Sequence, residues 1–184
     1  MLILQVKVAS LVRKTVGLYF SGHWCNPCRN FTPLLAATYD ELKGRGEEFE
    51  IIFISCDRDQ ESFDEYYDTM PWLALPFEDV LRGSLAQYFN IETIPQLVII
   101  GADGKTINAN ATQLITLYGA DSFPFTEERV IELQTEMAEK DLTLPKEVQP
   151  HPNVVSEYED KGSKNGDSGV NSEYSCDGDV CRKI

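Results

Sequence analysis

Two cysteines separated by two residues, Cys25 and Cys28 in Ser21-Gly-His-Trp-Cys-Asn-Pro-Cys28, are the side chains here whose type and spacing best suit chemistry. If they open a helix, positions i and i+3 face the same side, and the two sulfurs can close a disulfide. Cys25 then stands at the helix N-terminus, where unpaired N–H groups and the positive end of the dipole favour thiolate over thiol. Thiol–disulfide exchange is the chemistry that follows, with Cys25 the activated member. The same spacing is also half of a zinc knuckle. Zinc needs further Cys or His ligands nearby, and a strand–helix junction with a proline between the thiols favours redox chemistry instead.

The elements that must position this pair are legible around it. Val16 to Phe20 is an apolar and aromatic run suited to a buried strand, stopping at Ser21-Gly22. After the cysteines, Phe31, Leu34, Leu35, Tyr39 and Leu42 recur at helical spacing on one face, and Gly44 with Gly46 ends the helix. Pro33 lies inside it and removes the hydrogen bond to the carbonyl of Arg29, so a kink is expected there. Phe49 to Ser55 reads as a second buried parallel strand, completing a βαβ unit.

Further along, Asp57 with Gln60 resembles a capping box opening a short acidic helix over Glu61 to Thr69. Met70 to Phe77 holds two prolines and reads as an apolar loop, and Asp79 to Phe89 returns to helical spacing through Leu81, Leu85, Tyr88 and Phe89. Ile94-Pro95-Gln-Leu-Val-Ile-Ile100 is a strand entered through a proline, and Gly101-Ala-Asp-Gly104 turns it into an antiparallel partner over Lys105 to Ile107, which makes the sheet mixed. Residues 111 to 118 suit a short helix, and Thr126 caps a last one with Val130, Leu133 and Met137 facing inward. Residues 1 to 14 look like an edge strand or an incomplete leading element, and no internal repeat is found.

Composition limits the function classes. The 184 residues, 42% hydrophobic and 10% aromatic, suffice for one sizeable core, read as a domain over 1–141. From Leu142 the periodicity stops and Pro, Gly, Ser, Asn and Asp accumulate, so 142–184 reads as a low-complexity, largely disordered tail. A net charge of −14 without a basic patch argues against nucleic acid and anionic membrane surfaces. Gln5 and Lys7 interrupt the apolar start before it could be a signal core, and no later run approaches a membrane span. Five cysteines is an odd count without the spacing of a secreted disulfide framework, so a reducing compartment, cytoplasmic and/or nuclear, is expected.

A colinear set of segments resembles the nucleoredoxin branch of the thioredoxin-like superfamily, close to tryparedoxins and most like the plant nucleoredoxins. The set comprises Tyr19 through Pro33, Phe53-Ile-Ser-Cys-Asp-Arg-Asp59, Met70 through Phe77, Ile94-Pro-Gln-Leu-Val98 and Tyr118 through Thr126. The resemblance runs from about Val8 to about Ala138 and implies a thioredoxin-like three-layer α/β/α sandwich around a central mixed sheet. Members typically carry two or three such modules; this chain shows one.

The resemblance implies protein-disulfide reduction. Cys25, exposed and activated by the helix end, would attack a client disulfide, and Cys28 would resolve the mixed disulfide. Pro95 would face the cysteines after a cis bond, leaving the backbone at Ile94 free to pair with an extended substrate segment. Trp24 would shield the site, and Asn26 and Pro27 would tune the thiolate and its potential. Thioredoxins proper place a buried aspartate six residues before the first cysteine, where this chain has Tyr19. Another proton route is then needed, with His23 or a solvent water as candidates. Nucleoredoxins usually have two prolines between the cysteines; Asn26-Pro27 departs from that.

No cofactor is expected to be bound, and no Gly-rich dinucleotide fingerprint occurs; reducing equivalents would come from NAD(P)H through a separate reductase. The expected partners are disulfide-containing client proteins and that electron donor, with the chain a monomer. No metal site is expected. A second function from another class is a redox-sensitive module that holds or releases a client without turnover. The peroxidase arrangement Pro-x-x-x-Thr-x-x-Cys is absent. Cys56 reads as a buried core thiol, and Trp72, Phe77, Tyr88 and Phe89 as core and loop packing. Tyr174-Ser-Cys-Asp-Gly178 resembles the opening of the Cys/His-rich module that ends plant nucleoredoxins. Cys176 and Cys181 could bridge each other, dock on the active site as substrate, or do nothing, the last being the default.

Overall fold

The computed structural model describes residues 11–143, 174–177 and 180–183, so most of the leading element expected over 1–14 lies outside the described residues. Leu11 to Lys14 form a turn, and the first strand, β1, covers Thr15–Ser21. Helix α1, Asn26–Gly44, follows, then β2, Phe49–Ser55, with every residue buried. Short elements come next: α2, Gln60–Tyr67; β3, Leu73–Ala74; α3, Leu81–Tyr88; and β4, Thr93–Ile94. The chain continues through β5, Gln96–Ile100; β6, Thr106–Asn108; α4, Thr112–Tyr118; a 3-10 turn, Gly119–Ser122; and α5, Glu127–Thr143. Two further strands, β7 over Tyr174–Asp177 and β8 over Val180–Lys183, lie in the stretch read from sequence as a largely disordered tail.

Five strands form one mixed sheet in the order β3-β2-β1-β5-β6, with β1 parallel to β2, β2 parallel to β3, and β5 antiparallel to both neighbours. The expected thioredoxin-like α/β architecture is the observed one. Central strands are buried on both faces, which is why β1 and β2 are nearly unbroken apolar runs. On one face Phe53 packs against Phe63 and Tyr66 of α2 and against Tyr19 of β1, at ring separations of 5.7, 5.6 and 6.3 Å. The register sets Ser21 opposite Ser55, so the two parallel strands end side by side and the loops that leave them are neighbours. That alignment positions the site.

Several sequence expectations are corrected. Leu34 is half exposed, whereas Phe31, Leu35, Tyr39 and Leu42 are buried. Successive helical residues point about 100° apart, and the buried stripe of α1 runs through Phe31, Thr32, Leu35, Thr38, Tyr39 and Leu42, which leaves Leu34 beyond its edge. The same geometry separates Tyr88, 80% exposed, from Phe89, which packs partly on the core; Leu81 is exposed too. Of the three inward residues expected on α5, Leu133 is buried, Val130 is partly buried and Met137, a turn beyond Leu133, is exposed. The cap of α2 is Asp59, which accepts from the Ser62 N–H at 2.8 Å; Asp57 is buried and does something else. The proline-containing loop does contribute Leu73–Ala74 to the sheet, but only at its edge.

Candidate active site

Cys25 is the N-cap of α1, with backbone still extended, and its sulfur accepts the Cys28 N–H at 3.3 Å. Pro27, in the first turn, has no N–H to satisfy and presets the helical φ. Cys25 and Cys28 are joined in a disulfide with Cα atoms 5.2 Å apart, an ordinary separation for such a bridge. The peptide before Pro95 is cis, and the Ile94 carbonyl oxygen lies 3.8 Å from the Cys25 sulfur. Cys25, expected to be exposed, has no exposed surface, and neither has Cys28. Beside Cys25, the short strand β4 carries β8 along its edge.

Behind Cys28 lies a cluster of hydroxyls. The Thr32 hydroxyl donates to the Cys28 carbonyl at 2.9 Å and shares hydrogen bonds with the hydroxyls of Tyr19, at 2.9 Å, and Tyr66, at 2.6 Å. Ser21 closes the cluster through 3.0 Å to Tyr19 and 2.9 Å to Tyr66. Burial is the main reason the Tyr19 hydroxyl is held well above its ordinary pKa, and burial raises Tyr66 as well. Both therefore stay protonated at neutral pH. Where a thioredoxin would have a carboxylate, this chain has a neutral network that fixes the first turn of α1 through the Cys28 carbonyl.

The carboxylate is elsewhere. Asp57, just past β2, accepts the His23 N–H at 2.6 Å and the Ser55 hydroxyl at 2.8 Å, and burial raises its pKa despite both hydrogen bonds. It ties the loop after β2 to the loop carrying the cysteines. Trp24 adds a second tie, its indole N–H donating to the Cys56 carbonyl at 3.1 Å, and the Cys56 N–H adds a third to Ser21 at 2.7 Å. Trp24 passes so close to Gly22 that a Cβ there would sit 2.8 Å from the indole nitrogen. Only glycine fits.

The other sequence candidates are placed as follows. The ring of His23 stacks on Tyr66 at 5.6 Å, with Nδ1 3.7 Å from Glu65. Asn26 is exposed and accepts from Arg29 at 3.2 Å, while the same guanidinium donates to the His23 carbonyl at 2.6 Å. Pro27 and Pro95 line a cleft of about 220 Å³ together with Phe31 and the outward-facing Leu34. Cys56, expected to be a buried core thiol, is only partly buried and packs against the core; its thiol is pushed up to about 12, chiefly by loss of solvation, and so carries almost no thiolate. Among the described residues no group of three or more His, Cys, Asp or Glu is placed to hold a metal ion. No described helix is long and apolar enough to cross a membrane.

Sequence reasoning missed Ser21, Thr32, Tyr66 and Asp57 as parts of the site. Thr32 had a signal, four residues beyond Cys28 and hence one turn up the same helix face. Tyr66 had none, because only the fold brings α2 behind α1.

Comparison with known proteins agrees with this geometry. A family model described as thioredoxin-like matches residues 13–106. Probable nucleoredoxin 1 of Arabidopsis thaliana is 52% identical over 144 residues, 78% of this chain and 25% of that protein. Mouse (Mus musculus) nucleoredoxin is 40% identical over 131 residues, 70% of this chain and 30% of that one. Among solved structures, tryparedoxin from Trypanosoma brucei is similar at 40% identity and a TM-score of 0.62, covering 66% of this chain and 86% of that one. The chain thus spans about a quarter to a third of these nucleoredoxins and most of a tryparedoxin.

Proposed function

Because the chain belongs to the nucleoredoxin branch of the thioredoxin-like family, as an oxidoreductase domain with its Cys25–Cys28 pair in place, we propose that it reduces disulfides of client proteins. The observation that carries this reading is the junction itself. Cys25 caps α1, receives the Cys28 N–H, and lies against the Ile94 carbonyl at the end of a two-residue strand. In the reduced protein the Cys28 N–H and the helix dipole stabilise the Cys25 thiolate. The thiolate attacks one sulfur of a client disulfide, forming a Cys25–client bond and releasing the client's other sulfur as thiolate. Cys28, once deprotonated, attacks the Cys25 sulfur; the Cys25–Cys28 bond forms and the client leaves with both thiols reduced.

The proton from Cys28 goes to solvent, with His23 the candidate relay. The backbone of Ile94 and the cleft at Pro27 and Pro95 would take an extended client segment by strand pairing. Trp24 and Asn26 border that approach. A nicotinamide nucleotide, acting through a separate reductase, restores the dithiol, and a monomer in a cytoplasmic or nuclear compartment suits this chemistry.

The test is insulin reduction with dithiothreitol as donor. Wild-type protein is expected to turn over many times, Cys25→Ser to lose at least about a thousandfold in rate, and Cys28→Ser to accumulate a mixed disulfide with the client. Folded wild-type protein without turnover would replace the enzyme reading with the redox-sensitive binding module, which the complete burial of Cys25 would then support.

A further inference from the structure

The hairpin β7–β8 brings a second pair of cysteines into register with the active-site edge. β8 runs antiparallel to β4, with Thr93 opposite Arg182 and Ile94 opposite Cys181. β7 continues the same small sheet, with Cys176 opposite Cys181 and Asp177 opposite Val180. Ile94, Cys181 and Cys176 therefore form one row across three strands. Opposed residues in antiparallel strands lie about 4.5–5.5 Å apart at Cα and share a face. That spacing lies within the Cα separations of disulfides, so the hairpin backbone can carry a Cys176–Cys181 bridge. The residues between the strands, Gly178-Asp179, have the glycine-first composition of a two-residue hairpin loop.

The other end of the row reaches the chemistry. The Ile94 carbonyl lies 3.8 Å from the Cys25 sulfur, and Cys25 has no exposed surface although it must meet a foreign sulfur to react. The strand that lies along this edge contains a cysteine at the residue opposite Ile94.

We propose that Cys176 and Cys181 are a second redox pair that exchanges disulfide with Cys25 and Cys28 inside one molecule, the hairpin serving as a built-in substrate on the β4 edge. The Cys181 thiolate attacks the Cys25 sulfur, a Cys181–Cys25 bond forms, and the Cys25–Cys28 bond breaks with Cys28 leaving as thiolate and taking a proton. The Cys176 thiolate then attacks the Cys181 sulfur, closing Cys176–Cys181 and releasing Cys25. Two electrons pass from the hairpin dithiol to the helix-end disulfide, and the reverse sequence returns them.

The inference rests on the same exchange-competent Cys25 as the proposed reductase but needs no outside client. Its test is the full chain carrying Cys28→Ser and Cys176→Ser, which leaves Cys25 and Cys181 without their resolving partners. After oxidation with one equivalent of oxidised glutathione, peptide mapping should find a Cys25–Cys181 link in most chains, within monomers on a non-reducing gel. Cys25 left as a thiol, carrying only glutathione, or linked only between molecules would overturn the proposal.

The wild type offers a second measurement without substitutions. Half-reduced protein prepared with the Cys25–Cys28 bridge should pass to a mixture with Cys176–Cys181 at a rate unchanged over a tenfold range of protein concentration. A rate proportional to concentration, or no exchange, would overturn it. The two readings fail separately: insulin turnover without the Cys25–Cys181 link removes the relay alone, and the link without insulin turnover removes the reductase alone.

Discussion

The ends of β1 and β2 lie side by side, and each hands a cysteine to the loop that follows, yet only one of these positions suits a nucleophile. After β1 the chain turns at Gly22 and starts a helix, so Cys25 meets the Cys28 N–H in the first turn. After β2 the chain runs through Cys56 to a buried carboxylate, and the thiol is pushed up to about 12 by burial and then by Asp57. Cys25 and Cys28 are fully buried and Cys56 partly so, so burial is not what favours the thiolate at one end over the other. The difference is what faces the sulfur. Backbone donors at a helix terminus stabilise a thiolate, whereas apolar packing beside a carboxylate opposes one.

The largest expected effect that would sharpen this contrast is in alkylation. With a pKa near 12, Cys56 is thiolate to only about one part in ten thousand at pH 8. In the reduced, folded protein its reaction with iodoacetamide should therefore be at least about a hundredfold slower than in urea, while Cys25, buried but with its thiolate favoured by the helix terminus, should be protected less. Equal protection of the two, measured by mass spectrometry of quenched samples, would break the comparison.

An intermediate effect concerns what lies behind each strand end. Thr32→Val removes the hydroxyl shared by Tyr19, Tyr66 and the Cys28 carbonyl, leaving buried polar groups without that partner. A loss of about 1–3 kcal/mol in urea unfolding is expected. An unchanged midpoint would mean the cluster does not hold the first turn of α1.

The smallest effect has a definite sign. Burial raises the folded-state pKa of Asp57 above its unfolded value, so the folded protein holds that proton more firmly. The contribution is fully present below the unfolded carboxylate range, near pH 4, and is lost as pH rises through the folded pKa. Asp57→Asn does not titrate. The stability of wild type relative to this variant should therefore fall as pH rises from about 4 to 7, read as the difference in urea midpoints. A difference that stays flat or rises would show that Asp57 is not held protonated by burial.

Most of the scaffold was legible from local pattern. β2 was expected at the bounds observed, Phe49 to Ser55, because a short run rich in β-branched and aromatic residues admits few other readings. The errors fell where two adjacent residues competed for one buried face, as at Leu34 and Leu35 or Tyr88 and Phe89. They also fell where two acids stood near a helix start. Asp57 and Asp59 both resemble caps, and only the position of the loop after β1 reveals that Asp57 is drawn inward by the His23 N–H.

By itself the sequence determined the thiol pair at a strand–helix junction, the proline entering the strand that faces it, and the order of elements, because hydrophobic period, helix termini and proline act over a few residues. Only the tertiary structure decided which polar groups serve the pair. Ser21 meets Tyr66 and His23 meets Asp57 across long stretches of chain, and Ile94 meets Cys181 across a longer one. Apolar burial is non-directional and reads out as pattern, whereas a hydrogen-bond partner or a strand register exists only once distant segments are aligned to within a fraction of an ångström.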